Sequence, residues 1–195
     1  MGNMPIAFRV AKDVGKNKVT VILSPLGDED YISYAEWMND FDTTKYIGRN
    51  AKAVSYSEQK EWVEHQHSNT KSIFGIWVQL TEGQPKLVGN CSLTILSSNA
   101  QTAVLGIIIG NHTYRGKGIG SAVVGLLLHF AFMDLNLHSV NLSVVEENES
   151  AIKCYKKNGF VSQGIMRDKC FYDGEFHNEL YMDILCSEWK ELHKK

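Results

Sequence analysis

No Cys-x-x-Cys pair occurs among the four cysteines (Cys91, Cys154, Cys170 and Cys186), which argues against both a zinc site and a disulfide framework. Reduced thiols in a cytoplasmic protein are the expectation. Positive charge is not in surplus: 20 Lys and Arg against 22 Asp and Glu leave a net charge of -2. Nucleic-acid binding, which calls for a clearly basic domain, is therefore not expected. Long apolar runs are missing as well. The longest, Ala122 to Met133, is about a dozen residues and contains His129, against the ~20 that a spanning helix needs, so no membrane role is expected. There is no basic-then-apolar signal peptide, linker, low-complexity tract or repeat. His65 and His67 lie two apart rather than near the four of a helical metal pair, and no metal is expected. What remains is ordinary globular composition, 44% hydrophobic and 22% charged, enough for one domain over residues 1–195 with one good core.

Against this background one stretch stands out: Tyr114-Arg115-Gly116-Lys117-Gly118-Ile119-Gly120. It follows a strand-like apolar run (Ala103 to Ile109) and leads into a long segment with helical periodicity at Ile119, Val123, Leu126, Leu127 and Phe130. Glycines at a strand-to-helix junction let backbone approach a ligand, and the helix N-terminus offers unpaired N–H groups to an anion. Arg115 and Lys117 add charge there. Spacing narrows the guest. A P-loop needs four residues between its glycines and a hydroxyl after the Lys, whereas five separate Gly110 from Gly116 and Gly118 follows Lys117. The Gly-x-Gly-x-x-Gly dinucleotide pattern is also absent. Arg-x-x-Gly-x-Gly (Arg115, Gly118, Gly120) does fit an acyl-CoA pyrophosphate loop, the bland alternative being a plain glycine-rich turn.

A second pattern follows. A β-branched strand at 139–145 precedes Asn148-Glu149-Ser150-Ala151-Ile152-Lys153-Cys154-Tyr155, closing with Gly159-Phe160. Asn148 suits an N-cap and Gly159 a C′ position, which brackets a helix of about ten residues. With both motifs in order, the chain resembles the GNAT superfamily of N-acetyltransferases, most specifically from about Lys71 to Ile184. The opening acidic segment and the closing Gly164–Met182 run are similar to the branch that acetylates ribosomal-protein N-termini and spermidine.

A coarse reading gives strands near 18–24, 72–80, 86–97, 103–109, 139–145, 160–171 and 175–185. Helices are expected near 30–39, 57–67, 118–135 and 149–158, with a short one at the C-terminus. Ser55-x-x-Glu58 reads as a capping box and Glu82-Gly83-Gln84-Pro85 as a hairpin turn. The fold class is α/β (α+β) with a mixed, mostly antiparallel sheet, to which the resemblance adds a splayed strand pair flanked by helices.

The resemblance also implies the chemistry. Acetyl-CoA is the donor, with its pyrophosphate on the amides of Gly116, Lys117, Gly118, Ile119 and Gly120 beside Arg115. Its pantetheine arm pairs with Ile107, Ile108 and Ile109, and one of their N–H groups polarises the thioester carbonyl. Asn148 and Ala151 face the arm, and Asn148 bonds a pantetheine amide or a water. Tyr155 is the general acid for the departing thiolate, its alternative being a core aromatic. Many relatives carry a Glu early in the splayed strand as base; here Val104 stands in that place. Glu36, His112 and Glu179 are other carboxylates and imidazoles that could approach the acceptor. Between Asp28 and Asp42 there are six acids and no Lys or Arg, either a rim that steers a cationic amine or simply helix-terminal and solvated carboxylates. Tyr34, Trp37 and Trp62 are similarly core staples or substrate platforms. A small amine, polyamine-like or an amino sugar, is the favoured acceptor. A protein N-terminus and a non-catalytic acyl-CoA-binding module are the alternatives. Acyl-chain preference and oligomeric state are open, a homodimer included.

Overall fold

Period-two patterning in the strands and a helical stripe in the longest helix decide which faces of this chain are buried. The computed structural model describes residues 5–47, 52–66, 71–80 and 83–194. Its strands are β1 (Arg9–Val14), β2 (Val19–Ser24), β3 (Lys71–Gln79), β4 (Lys86–Ser97), β5 (Thr102–Ile109), β6 (Ser139–Val145), β7 (Val161–Tyr172) and β8 (Glu175–Leu185). The helices are α1 (Tyr31–Met38), α2 (Phe41–Thr44), α3 (Tyr56–Glu64), α4 (Ile119–His129), α5 (Glu149–Lys157) and α6 (Cys186–Leu192). All eight strands join one sheet in the order β1-β2-β3-β4-β5-β6-β8-β7. Every neighbouring pair is antiparallel except β5–β6, so the mixed, mostly antiparallel sheet is as expected.

Most elements lie within two or three residues of their expected places. The Ser55–Glu58 capping box is formed in both directions. Asn148 caps α5, and Gly159 leaves it at φ 93°. Three features differ from the sequence reading. β1, an edge strand of mixed polarity, was not expected, and neither was the four-residue α2. The long helix is α-helical only to His129, after which Phe130–Asp134 widens into a π turn. His67 and Glu82 lie outside the described residues.

The stripe on α4 (Ile119, Val123, Val124, Leu127, Leu128) is almost fully buried and packs on β1, β2, β4 and β5. This fixes the helix start, and with it the glycine loop, against the sheet. Leu127 is 0% exposed. Leu127→Ala is expected to lower unfolding free energy by about 2–5 kcal/mol through lost burial and the cavity left behind, measurable by urea titration.

Candidate active site

β5 and β6 are parallel neighbours for only three residues: Thr102 with Ser139, Ala103 with Val140, Val104 with Asn141. Beyond Val104, β5 pairs only with β4 and β6 only with β8. The sheet is thus split along Leu105–Ile109, where backbone groups on one edge of β5 face a gap rather than a strand. Buried backbone N–H and C=O groups need partners, so this edge is a ready template for an extended chain. Ile107, Ile108 and Ile109, the expected pantetheine-pairing residues, lie on this free stretch.

The glycine loop begins directly after it. Gly110 has no Cβ because the Trp37 indole of α1 fills that space. Asn111 caps a single 3₁₀ turn (His112–Tyr114) by accepting from the Thr113 amide. Gly116 and Gly118 then take left-handed conformations, φ 69° and 83°, which side-chain-bearing residues rarely adopt. Space around Gly116 is open, and Gly118 is the N-cap of α4. Ile119 is buried, so only its backbone can serve a ligand. A Cβ on Gly120 would come to 3.7 Å from the Cys154 sulfur, so α4 and α5 lie close at this point. Lys117 holds its ammonium 5.6 Å from the centre of the Tyr114 ring. The β1–β2 turn leans on the loop: a Cβ on Gly15 would collide with the Lys117 carbonyl oxygen. A cavity of about 440 Å³ opens there, lined by Lys16, Asn17, Tyr114, Gly116, Lys117 and Gly118 among others.

Arg115, expected beside the pyrophosphate, also has partners within the protein. Its guanidinium donates to the Ile109 carbonyl (2.8 Å), the Asp42 carbonyl (3.2 Å) and Thr43 Oγ1 (2.8 Å). It therefore ties α2 to the end of β5. His112 joins the same bracket, with Nε2 2.8 Å from Asp40 Oδ2 and 3.0 Å from Thr43 Oγ1.

α5 rises beside the gap. Asn148 Oδ1 accepts from the Ala151 amide at 3.2 Å, so its carbonyl oxygen is committed to the cap and its amide nitrogen is the group left for a ligand. Ala151 packs against the core cluster. Tyr155 is 8% exposed, and its ring meets Phe160 at 5.8 Å. Burial, with a smaller contribution from Cys154, pushes its phenol well above the ordinary value. The hydroxyl therefore carries its proton throughout the neutral range. Burial likewise raises the neighbouring Cys154 thiol, to about 11, which leaves it un-ionised.

A second cavity, about 590 Å³, lies between α1–α2 and the β7–β8 hairpin, lined by Met38, Asn39, Phe41, Thr44, Lys45, Lys52, Ala53, Phe171, Tyr172 and Asp173. None of the six acids between 28 and 42 is among these residues. Asp30 is buried and accepts from the Gly27 amide, Asp40 caps α2, and Asp42 pairs with Lys45 at 2.8 Å. For these three the helix-terminal account holds. Tyr34 is buried against Trp37 and Trp62, a packing cluster as the plainer reading had it. The hairpin wall instead brings up residues not singled out from the sequence: Glu147, Tyr172 and His177. Only their proximity in the fold marks them. Among the described residues no group of three or more His, Cys, Asp or Glu could hold a metal, and no helix is long and apolar enough to cross a membrane.

A strand pair that parts beside a glycine-rich helix start is the geometry of an acyl-CoA site, and the sequence model of the acetyltransferase (GNAT) domain matches residues 20–161. The chain belongs to the GNAT acetyltransferases. Among its relatives, the spermidine N(1)-acetyltransferase of Vibrio cholerae is 29% identical over 136 residues, covering 69% of this chain and 76% of the relative. The Escherichia coli K12 spermidine N(1)-acetyltransferase is 26% identical over 175 residues, 90% and 91% of the two chains. The crystal structure of the V. cholerae spermidine N-acetyltransferase in complex with CoA and spermine superposes with a TM-score of 0.78 at 26% identity, covering 87% of this chain and 98% of that one. The GNAT fold, an acetyltransferase activity and acetyl-CoA as donor are thereby as the sequence reading expected.

Proposed function

We propose that this GNAT enzyme acetylates a small primary amine of polyamine type, with the donor held along β5 and on the Gly116–Gly120 amides and the acceptor entering from the 590 Å³ cavity. The observation that carries the reading is the parting of β5 from β6 after Val104, immediately before the glycine loop. The spermidine specificity of the relatives supports the amine class. In this scheme the amine nitrogen attacks the thioester carbonyl carbon. The C–N bond forms as the C–S bond breaks, and Tyr155 passes its proton to the departing thiolate. An N–H from Ile107–Ile109 stabilises the oxyanion. Val104 offers no proton acceptor, so the amine arrives neutral, and the proton that its nitrogen sheds on becoming the amide passes to water, from which the Tyr155 phenolate is reprotonated. Nucleic acid has no part in this reading, and the site of action is the cytoplasm.

The test is coenzyme A release with a panel of spermidine, spermine, shorter diamines, an amino sugar and a peptide with a free N-terminus. Turnover is expected with the polyamines. Tight acetyl-CoA binding without acetylation of any amine would overturn the assignment, and turnover of the peptide alone would shift it to protein N-termini.

A further inference from the structure

The hairpin wall of the acceptor cavity carries a cluster that acetyl transfer as described above does not use. Tyr172, the last residue of β7, lines the cavity, and its ring stacks on the His177 imidazole with centroids 3.7 Å apart and planes 9° apart. His177 Nδ1 lies 3.1 Å from Glu147 Oε1, and Nε2 lies 3.3 Å from the Tyr172 carbonyl oxygen. Both partners only accept hydrogen bonds. An imidazole that donates from both nitrogens must be the doubly protonated cation. In agreement, the hydrogen bond to Glu147 is the leading cause that raises His177 above its ordinary value. Tyr46 meets the Tyr172 ring edge-on at 6.1 Å.

Glu147 sits one residue before Asn148, at the mouth of the split, which invites the role of the base missing at Val104. Its bonding argues otherwise. Burial pushes its carboxyl up, but the hydrogen bond and the charge of His177 hold it below the usual carboxylate range. A carboxylate stabilised in this way is a poor proton acceptor. Its geometry suits holding other groups still.

We propose that Glu147 and His177 are positioning residues that fix Tyr172 as the acceptor-side wall of the cavity and thereby set the affinity for the acceptor amine. The inference rests on the acceptor entering by that cavity. On that wall the Tyr172 ring and the Asp173 carboxylate stand together, an aromatic ring and an anion that an ammonium group can meet, with Lys45 and Lys52 also lining the cavity. The charged and titratable groups facing His177 are Glu147 and Glu175, and those facing Tyr172 are Glu147, Tyr46 and Cys170. As pH rises through the elevated His177 value the imidazolium loses a proton, one of its two contacts loses its donor, and the wall loosens.

His177→Gln is expected to raise KM for the amine about tenfold at pH 6.5 and to leave KM for acetyl-CoA within about twofold. His177→Arg, a permanent cation with several donors, should restore the amine KM and remove its rise with pH. In NMR titrations the His177 imidazole should titrate above the ordinary ~6.5 and fall back in Glu147→Gln. Tyr172→Leu removes the stacking ring instead, and the same rise in amine KM is expected of it should a His177 variant fail to fold. An unchanged amine KM in a folded variant, or an equal change in KM for acetyl-CoA, overturns the proposal. Absence of turnover by the unmodified enzyme instead overturns the acceptor assignment, while the titration still reports on the cluster itself.

Discussion

Tyr155→Phe is expected to lower kcat by about 10²–10⁴-fold, the range that a positioned general acid contributes, while KM for acetyl-CoA stays near that of the unmodified enzyme. The phenol is buried on α5, and desolvation keeps it protonated across the neutral range, so at working pH the acid is fully loaded. Its weakened acidity does not disqualify it. The thiolate it must protonate leaves into the same water-poor gap, where burial raises the basicity of a sulfur anion too, as the neighbouring Cys154 illustrates. Phenylalanine keeps the ring, its contact with Phe160 and its place against the core, so folding is preserved and the loss is confined to the proton. The distinguishing measurement is single-turnover acetyl transfer. If chemistry is as fast in Tyr155→Phe as in the unmodified enzyme, Tyr155 is a core aromatic and the thiolate leaves unprotonated or takes its proton from water.

How far the sequence alone reaches can be judged from particular residues. The Gly116–Gly120 loop and the Asn148-to-Gly159 helix were legible because each is a local device. A left-handed glycine, an N-cap and a C′ glycine act within a few residues of one another. Arg115 shows where local reading stops: its charge beside a phosphate loop is visible in sequence, but its partners at Asp42 and Thr43 lie more than 70 positions earlier. Glu147, Tyr172 and His177 are a similar case, since a loop, a strand end and a strand start meet only after β6 and β8 pair. β1 escaped notice because an edge strand of mixed polarity carries no clear alternation. The acids of 28–42 left two readings open in sequence, and the fold decides for three of them: Asp30 accepts from a turn amide, Asp40 caps α2 and Asp42 pairs with Lys45.

Gly89→Ala, remote from any reacting atom, is expected to destabilise the fold by about 3 kcal/mol or more and to lower kcat/KM for the acetyl donor at the same time. Gly89 lies opposite Ile109 on β4, beside the register shift where β3 and β4 slip past each other at Ile76–Trp77. A Cβ there would overlap the Ile108 carbonyl oxygen and press on the backbone of Ile108 and Ile109. Backbone cannot swing aside as a flexible side chain can, so β5 has to shift as a unit. β5 has no room to do so quietly. Its far edge is the free stretch proposed to carry the pantetheine arm, and its end is pinned by the Arg115 contact to the Ile109 carbonyl. The strain therefore passes into the peptide groups that would polarise the thioester, where a displacement well under 1 Å already weakens a hydrogen bond to a developing oxyanion. Chemical denaturation and acetyl-CoA titration of the same variant separate the two effects. A stability loss with unaltered donor kinetics would mean that β5 yields away from the site, and the free edge of Leu105–Ile109 would then not be the surface on which the donor lies.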